Sequence, residues 1–273
     1  MSNYHRVLMM SLAFAVCVAA GRMAWSADAK ERFSAEKLDA LRRKASGFQD
    51  FSTRGPDGWS VGKLDAKSFV AVFKPLRIKS GVVLRSYVFR EGGNGNGVIW
   101  ALPADAEFPP PDRCPKGKFM PDLHMPVPRP PAAFASVMAQ IEGDGSAWSY
   151  MAASLLRREL LEYGAMWHGQ KWSTHRILDG DPLKDVDRER PADADPMMTP
   201  RGPRSEWRWL GKKPDDWRPQ VEISGDRVTV TFYTYSGWER QRVFSHTDRF
   251  SAGNYDAESE TAELAEGPGG FLF

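Results

Sequence analysis

A predicted helix that carries a carboxylate on its apolar face limits the possible folds of this chain more than any other stretch. With successive side chains about 100° apart, the apolar residues between Ala147 and Tyr163 fall on one broad face. Asp144 or Ser146 can cap the start of such a helix, and Gly164 can end it. The pattern predicts a helix that packs this face against a core.

Glu159 interrupts that face, because it projects within about 20° of the direction of Trp148. An isolated buried charge is too costly, so the carboxylate must be paired, hydrogen-bonded or protonated. His168 and His175 follow closely enough to meet it, which makes Glu159, His168 and His175 candidates for acid–base catalysis or metal ligation. A structural role is favoured, in which Glu159 pairs with an arginine or caps strand backbone, because buried ion pairs also shift pKa values without doing chemistry.

The N-terminus has the pattern of an export signal. His5 and Arg6 precede an apolar run from Val7 to Ala20, and small residues follow. The run is short for a transmembrane helix, which needs about 20 apolar residues. The sequence predicts a signal peptide over residues 1–29 and a secreted or periplasmic protein without stable membrane insertion after cleavage. A retained anchor is the alternative.

Charge and cysteine content exclude further classes. The formal net charge is +2 and falls to about +1 without residues 1–29, so no overall field attracts nucleic acid. Cys114 is the one cysteine left after cleavage, which leaves no intramolecular disulfide.

Ten of the twenty prolines lie between Pro103 and Pro131, which predicts a long covering loop. Within it Cys114, Met120, His124 and Met125 are residue types that bind copper, although their spacing fits no copper motif. Packing of the methionines over apolar surface is the favoured interpretation.

Other elements follow from periodicity and from Gly and Pro punctuation. Predicted helices cover Ala35–Ser46 and the stretch from Pro131 to Ile141, the second pairing with the central helix. Predicted strands are Ser68–Phe73, Val82–Arg90, Gly97–Leu102, Val221–Ile223, Val228–Tyr235 and Glu239–Phe244. Asp179–Pro219 is predicted as a polar surface loop that Trp207, Trp209 and Trp217 pin to the domain.

These elements predict an α+β fold. Antiparallel sheets from an N-terminal and a C-terminal strand group are expected to pack against a central helical pair, with long Pro-rich and polar loops. Residues 30–250 are expected to form a single domain, and residues 251–273 an acidic mobile tail.

No Walker loop, nucleophile elbow, dinucleotide fingerprint or zinc motif indicates a reaction or a cofactor. Aromatic side chains that can stack on a ligand are Trp167, Trp172, Tyr233 and Tyr235, the tyrosines on a sheet face that either a loop covers or a ligand reaches. The favoured hypothesis is an exported, non-catalytic structural or binding module of the cell envelope, with a glycan, small molecule or envelope protein as partner. The alternative is a hydrolase or metal-dependent enzyme built on the Glu/His cluster.

Overall fold

The computed structural model describes residues 29–48, 58–120, 125–186, 195 and 197–271. This part of the chain is mixed α+β and mostly β. Its helices are α1 (Ala35–Ser46), α2 (Ala66–Val72) and α3 (Ala147–Leu161). Its strands are β1 (Ala29–Arg32), β2 (Trp59–Val61), β3 (Arg77–Ile78), β4 (Val82–Glu91), β5 (Asn94–Pro103), β6 (Lys116–Met120), β7 (Met125–Pro128), β8 (Ile141–Glu142), β9 (His175–Leu178), β10 (Arg208–Trp209), β11 (Gln220–Ser224), β12 (Arg227–Ser236), β13 (Arg240–Ser251) and β14 (Glu258–Gly269).

All named strand pairs are antiparallel. The large sheet has the order β1-β11-β12-β13-β14-β10, and β9 pairs with the end of β12 that β11 leaves open. A second sheet has the order β2-β4-β5, and β3-β8 and β6-β7 form two small pairs. The large sheet therefore draws its strands from both ends of the described chain.

Helix α3 is buried over most of its surface rather than on one face, although Leu161 at its end is exposed. It contacts β11 and β12 of the large sheet and β5 of the second sheet. Its N-cap is Ser146, whose hydroxyl accepts a hydrogen bond from the Ser149 backbone, and Gly164 has the left-handed φ of 71° expected beyond the helix end. Polar side chains such as Ser154 are buried with it, so their hydrogen bonds must be made inside the protein.

One predicted strand is a helix. The segment Ser68–Phe73 lies in α2 and its C-cap, and the third strand of the second sheet is β2 instead. Asp65 caps α2 by accepting a hydrogen bond of 3.1 Å from the Ser68 backbone. Phe69, Val70 and Phe73 are buried at helical spacing. A short apolar run does not distinguish these two structures by periodicity.

The predicted central helical pair is also wrong. The stretch from Pro131 to Ile141 contains a 3₁₀ turn at Met138–Gln140 and then enters β8. The Phe134 backbone N–H donates to the Ala101 carbonyl at 2.9 Å, and Ile141 pairs with Ile78 in the β3-β8 ladder. Pairing with distant strands thus replaces the bonds that a helix would make.

The predicted acidic tail contains an ordered strand. Residues 258–269 form β14, which pairs with β13 over most of its length and with β10 on its other side. Its acidic side chains meet basic partners across the ladder, as in the 3.0 Å pair between Arg249 and Glu260. Opposite charges on neighbouring strands favour this pairing, and the acidic composition alone does not reveal it.

Other predictions are confirmed. Helix α1 has the predicted bounds, with Ser34 as its N-cap. The predicted strands at β4, β5, β11 and β12 are present, and they pair as the antiparallel hairpins β4-β5 and β11-β12. Trp207 and Trp217 are buried in a cluster with Tyr235. The segment between β9 and β11 therefore covers the tyrosine face of β12.

Several predictions concern residues outside the described ranges. The signal peptide falls almost entirely in residues 1–28, and His124 of the copper hypothesis lies outside as well. Within the described residues, no helix combines the length and the hydropathy that crossing a membrane requires. Cys114 is buried, and its sulfur lies 3.1 Å from the hydroxyl of Tyr87.

Candidate functional site

A cavity of about 350 Å³ opens where α1 meets β9. Glu159 of α3 and His175 at the start of β9, two of the three predicted catalytic residues, both lie in its wall. The lining residues are Asp39, Arg42, Arg43, Ser46, Glu159, Ser173, His175, Arg176 and Met198. The cavity therefore brings together side chains from three elements that are distant in sequence.

Arg42 holds the inner wall together. Its Nε donates to the Glu159 carboxylate at 3.3 Å, and its Nη1 and Nη2 donate to the carbonyls of His175 at 2.5 Å and Trp172 at 2.7 Å. The side chains of Arg42 and Glu159 are only 11% and 8% exposed. This buried pair is fixed by hydrogen bonds at each end.

Trp172 completes the environment of Glu159. Its indole Nε1 donates to Glu159 Oε1 at 2.8 Å, and its ring lies 4.1 Å beneath the Arg42 guanidinium. Burial raises the pKa of Glu159, while the charge of Arg42 and these hydrogen bonds oppose that rise. Pairing of Glu159 with an arginine is the arrangement that the structural interpretation of the sequence describes.

His175 belongs to a line of hydrogen bonds through the large sheet. Its Nδ1 lies 2.8 Å from Thr234 Oγ1, which lies 2.8 Å from His246 Nε2. Nδ1 of His246 continues to Thr261 at 3.1 Å. Burial and the positive charge of Arg42 lower the pKa of His175 to about 3. The pKa of His246 is also lowered by burial, with Arg158 contributing, so both imidazoles are neutral at pH 7.

Behind this line lies a second buried ion pair. Arg158 donates to the two oxygens of Asp248 at 2.6 and 3.2 Å, and Ser154 donates to the same carboxylate. Asp248 is fully buried. The bidentate geometry satisfies both charges, which is the condition under which buried pairs persist.

Glu162 organises the turn that leads to the cavity. Its carboxylate accepts hydrogen bonds from the backbone of Lys171 and, at 2.7 Å, of Ser173. Burial raises its pKa to about 7, and these two bonds act against the rise. Glu162 thereby fixes the segment that carries Trp172 to its place against Glu159.

His168, the third predicted catalytic residue, does not join the cavity. It lies in the exposed 3₁₀ turn Trp167–Gly169, and Trp167 has a left-handed φ of 50°. Gly169 packs closely against the backbone of Gly95 in the second sheet. The chain turns away from the cavity at this point and returns to the environment of Glu159 only at Trp172.

The predicted aromatic ligand-binding residues are separated. Trp172 is buried under Arg42. Tyr235 is completely buried, and Tyr233 is partly buried with its ring 5.2 Å from that of Trp217. Trp167 remains 56% exposed. A stacked sugar would thus find an open indole at Trp167 but none at Trp172.

Sequence reasoning missed Arg42 as the partner of Glu159, although a signal was present. Leu38, Leu41 and Ala45 are the buried residues around it on α1, and Arg42 lies three or four positions from two of them. A lone arginine in one apolar stripe and a lone glutamate in another are complementary. Thr234 and Asp248 carried no comparable signal.

In the described part of the chain, no three His, Cys, Asp or Glu side chains converge as metal ligands. The cavity carries arginines and polar groups instead. No family model matches this sequence, and no curated protein or solved structure resembles it significantly.

Proposed function

We propose that this chain is an exported, non-catalytic binding module of the cell envelope that holds a small molecule in the cavity between α1 and β9. The observation that carries the proposal is a preformed cavity whose inner wall is fixed by Arg42. Its volume of about 350 Å³ lies within the range of small-molecule sites. A wall already held by hydrogen bonds loses little conformational entropy when a ligand binds.

The same geometry favours binding over catalysis. An enzyme built on the Glu/His cluster needs Glu159 to orient a histidine or to exchange a proton with it. Glu159 instead accepts hydrogen bonds from Arg42 and Trp172. The Nδ1 atom of His175 lies against Thr234. These side chains act as walls of the cavity.

The size of the cavity also favours a small molecule over the other predicted partners. A volume of about 350 Å³ suits a ligand of roughly one or two rings, whereas a glycan chain or protein would extend over the rim. The aromatic residues predicted to stack on sugars do not line the cavity. A partner that covers Trp167 would need a separate surface.

Ligand-induced thermal stabilisation tests the binding proposal. A panel of small charged and neutral molecules, soluble glycans and envelope extracts is screened for an increase in Tm and for a change in tryptophan fluorescence. Ser46 lines the cavity at the end of α1, and Lys44 is exposed on the same helix outside it. A ligand of the cavity should stabilise the wild type and Lys44→Phe, but not Ser46→Phe, whose ring fills the opening.

The proposal fails if no member of the panel stabilises the protein, or if every stabilising molecule acts equally on Ser46→Phe. The proposed export of the protein is tested separately, by fractionating cells that produce the full chain. Mass spectrometry of the N-terminus in the envelope fraction should show cleavage near residue 29. An uncleaved chain in the soluble interior of the cell would contradict export.

A further inference from the structure

Arg176 is the least satisfied side chain in the cavity wall. Its Nε is buried and has no hydrogen-bond partner among the described residues. Its side chain lines the cavity from β9. Buried donors in proteins are nearly always bonded, so the guanidinium of this cavity-lining residue still lacks an acceptor for part of its hydrogen bonds. A guanidinium offers only donors, and the missing group must therefore carry lone pairs.

The neighbouring charges do not supply that acceptor. The donors of Arg42 are used by Glu159 and two carbonyls. Asp39 lies 3.6 Å from Arg42, and burial raises its pKa against the effect of the surrounding arginines. Arg43 adds a third guanidinium at the exposed side of the cavity.

The wall thus contains three arginines against two carboxylates, of which Glu159 is already paired with Arg42. Asp39 is the remaining carboxylate, and both Arg43 and Arg176 act on it only through space. Among the lining residues, the arginines therefore outnumber the carboxylates by one, and Asp179 outside the lining also acts on Arg176 through space. Ser173 adds a backbone and side chain already anchored by Glu162.

We propose that the ligand of this cavity carries an oxyanion, a carboxylate or a phosphate, bound by the guanidinium of Arg176 with Arg43 closing over it. This inference rests on the proposed function, since it names the chemical class of the ligand in the same cavity. Arginine suits this role because its planar donors match both groups in bidentate geometry. Arg42, whose charge is offset by Glu159, holds the cavity wall in place without contacting the anion.

Matched pairs of probes test the charge requirement. Benzoate is compared with benzamide, and phenyl phosphate with phenol, by calorimetric titration at fixed ionic strength. The anionic member of at least one pair should bind at least tenfold more tightly than its neutral counterpart. The pair that responds distinguishes a carboxylate from a phosphate. Competition by inorganic phosphate at the same site would support a phosphate ligand.

Arg176→Gln tests the assigned residue. The substitution removes the charge and keeps an amide donor, so binding of the anionic probe should weaken by about tenfold to a hundredfold. Arg208→Gln is the control, because Arg208 is 73% exposed and lies outside the cavity. Arg43→Gln is a second variant at an exposed position, expected to weaken binding less and to fold normally.

A purely structural role for Arg176 predicts the reverse pattern. Arg176→Gln would then lower the Tm of the free protein and leave the affinity for the anion unchanged, which would overturn the inference. Neutral probes that bind in the cavity as tightly as their anions, with Ser46→Phe blocking both, would overturn it while leaving the proposed function intact. Failure of every member of the wider panel, charged or neutral, to stabilise the protein is the separate result that defeats the proposed function itself.

Discussion

The carboxylate of Glu159 and the guanidinium of Arg42 are both about nine-tenths removed from water. Taking two such groups out of water costs several kcal/mol each, and their attraction offsets the cost only when the remaining hydrogen bonds are also made. Here the His175 and Trp172 carbonyls and the Trp172 indole make them. The pair therefore depends on both members, and loss of one leaves the other exposed to the full desolvation cost.

Arg42→Met should destabilise the protein by about 3–5 kcal/mol, because it leaves a buried carboxylate and two carbonyls without their donor. Chemical denaturation with a tryptophan signal measures the free energy of unfolding. Arg43→Met, on the exposed side of the same helix, should change it by about 0.5 kcal/mol or less. The double variant Arg42→Met with Glu159→Met should recover much of the loss. Equal effects at positions 42 and 43 would contradict the ion pair.

Glu162 should make stability fall as the pH rises. Burial raises its pKa from 4.5 to about 7, so between these values the folded protein binds more protons than the unfolded chain. The stability from this group is complete below pH 4.5 and is lost as the pH rises through about 7. Glu162→Gln should gain stability relative to the wild type across this window, by up to roughly 3 kcal/mol.

Denaturation of both proteins at matched pH values isolates this effect. His175 acts in the opposite direction. Its pKa is lowered from 6.5 to about 3, so between these values the unfolded chain binds more protons than the folded protein, and the folded protein loses stability as the pH falls below 6.5. That contribution is common to wild type and variant, so the difference between them reports Glu162. A difference that stays constant from pH 4.5 to 7 would show that Glu162 titrates like an exposed carboxyl.

The site could be predicted from the sequence only where a residue breaks a pattern. Glu159 stands out because a carboxylate on an apolar stripe needs a partner. Its pairing with Arg42 joins positions 117 residues apart, which periodicity does not address. His168 and His175 looked equivalent along the chain, and the left-handed turn at Trp167 separates them. Backbone turns of this kind leave little trace in composition.

At the scale of elements, the confirmed predictions are those with redundant local signals. Helix α1 combines an N-cap with an apolar stripe, and the β11-β12 hairpin combines strict alternation with a Gly turn. Helix α2 and strand β14 lacked such redundancy. The first is a helix of only seven residues with a short apolar run at its end. The second is stabilised by cross-strand partners that its own residues do not reveal.

Strand β14 should protect its backbone from exchange with solvent. Amides that bond to β13 exchange only when the sheet opens, whereas a mobile tail exchanges at the rate of an unfolded peptide. Hydrogen–deuterium exchange with mass spectrometry should therefore show slow exchange in peptides covering residues 258–267. Peptides from β13 on the same sheet serve as the reference. Complete exchange of 258–267 within seconds would restore the interpretation as a mobile tail.

The contact between α3 and the second sheet depends on Gly97 in β5. A Cβ at this position would collide with the carbonyl of Tyr163, just beyond the helix. Gly97→Ala should therefore cost about 1–3 kcal/mol of stability, as for other overpacked sites. Gly180→Ala is the matched control, because nothing lies within 4 Å of a Cβ there. Thermal unfolding of the two variants compares them, and equal Tm values would contradict the close packing.

For the whole molecule, the α+β class could be predicted but the packing arrangement could not. The class follows from one long helix and several alternating segments. The arrangement depends on which strands pair, and β1 with β11 and β9 with β12 join segments whose sequences show no mutual signature. One cluster of buried side chains extends from Phe33 to Tyr255 and includes α1, α2 and α3.

A shared core of this extent should unfold in one step. Far-ultraviolet circular dichroism, which follows backbone structure, and tryptophan fluorescence should give the same midpoint in urea. Trp172 and Trp217 report on different buried clusters, so their replacement one at a time by Phe lets fluorescence follow each cluster. Two separated midpoints would indicate independent domains and would contradict the single domain predicted for residues 30–250.

The pairing of β1 with β11 determines when the large sheet can be completed during synthesis. Ala29 lies opposite Ile223 in that ladder, so nearly two hundred residues must emerge from the ribosome before the first strand finds its neighbour. Contacts of such long range form late and slowly. The large sheet therefore stays incomplete for most of translation, and a chain that has not completed its fold is the form that a translocation pore accepts.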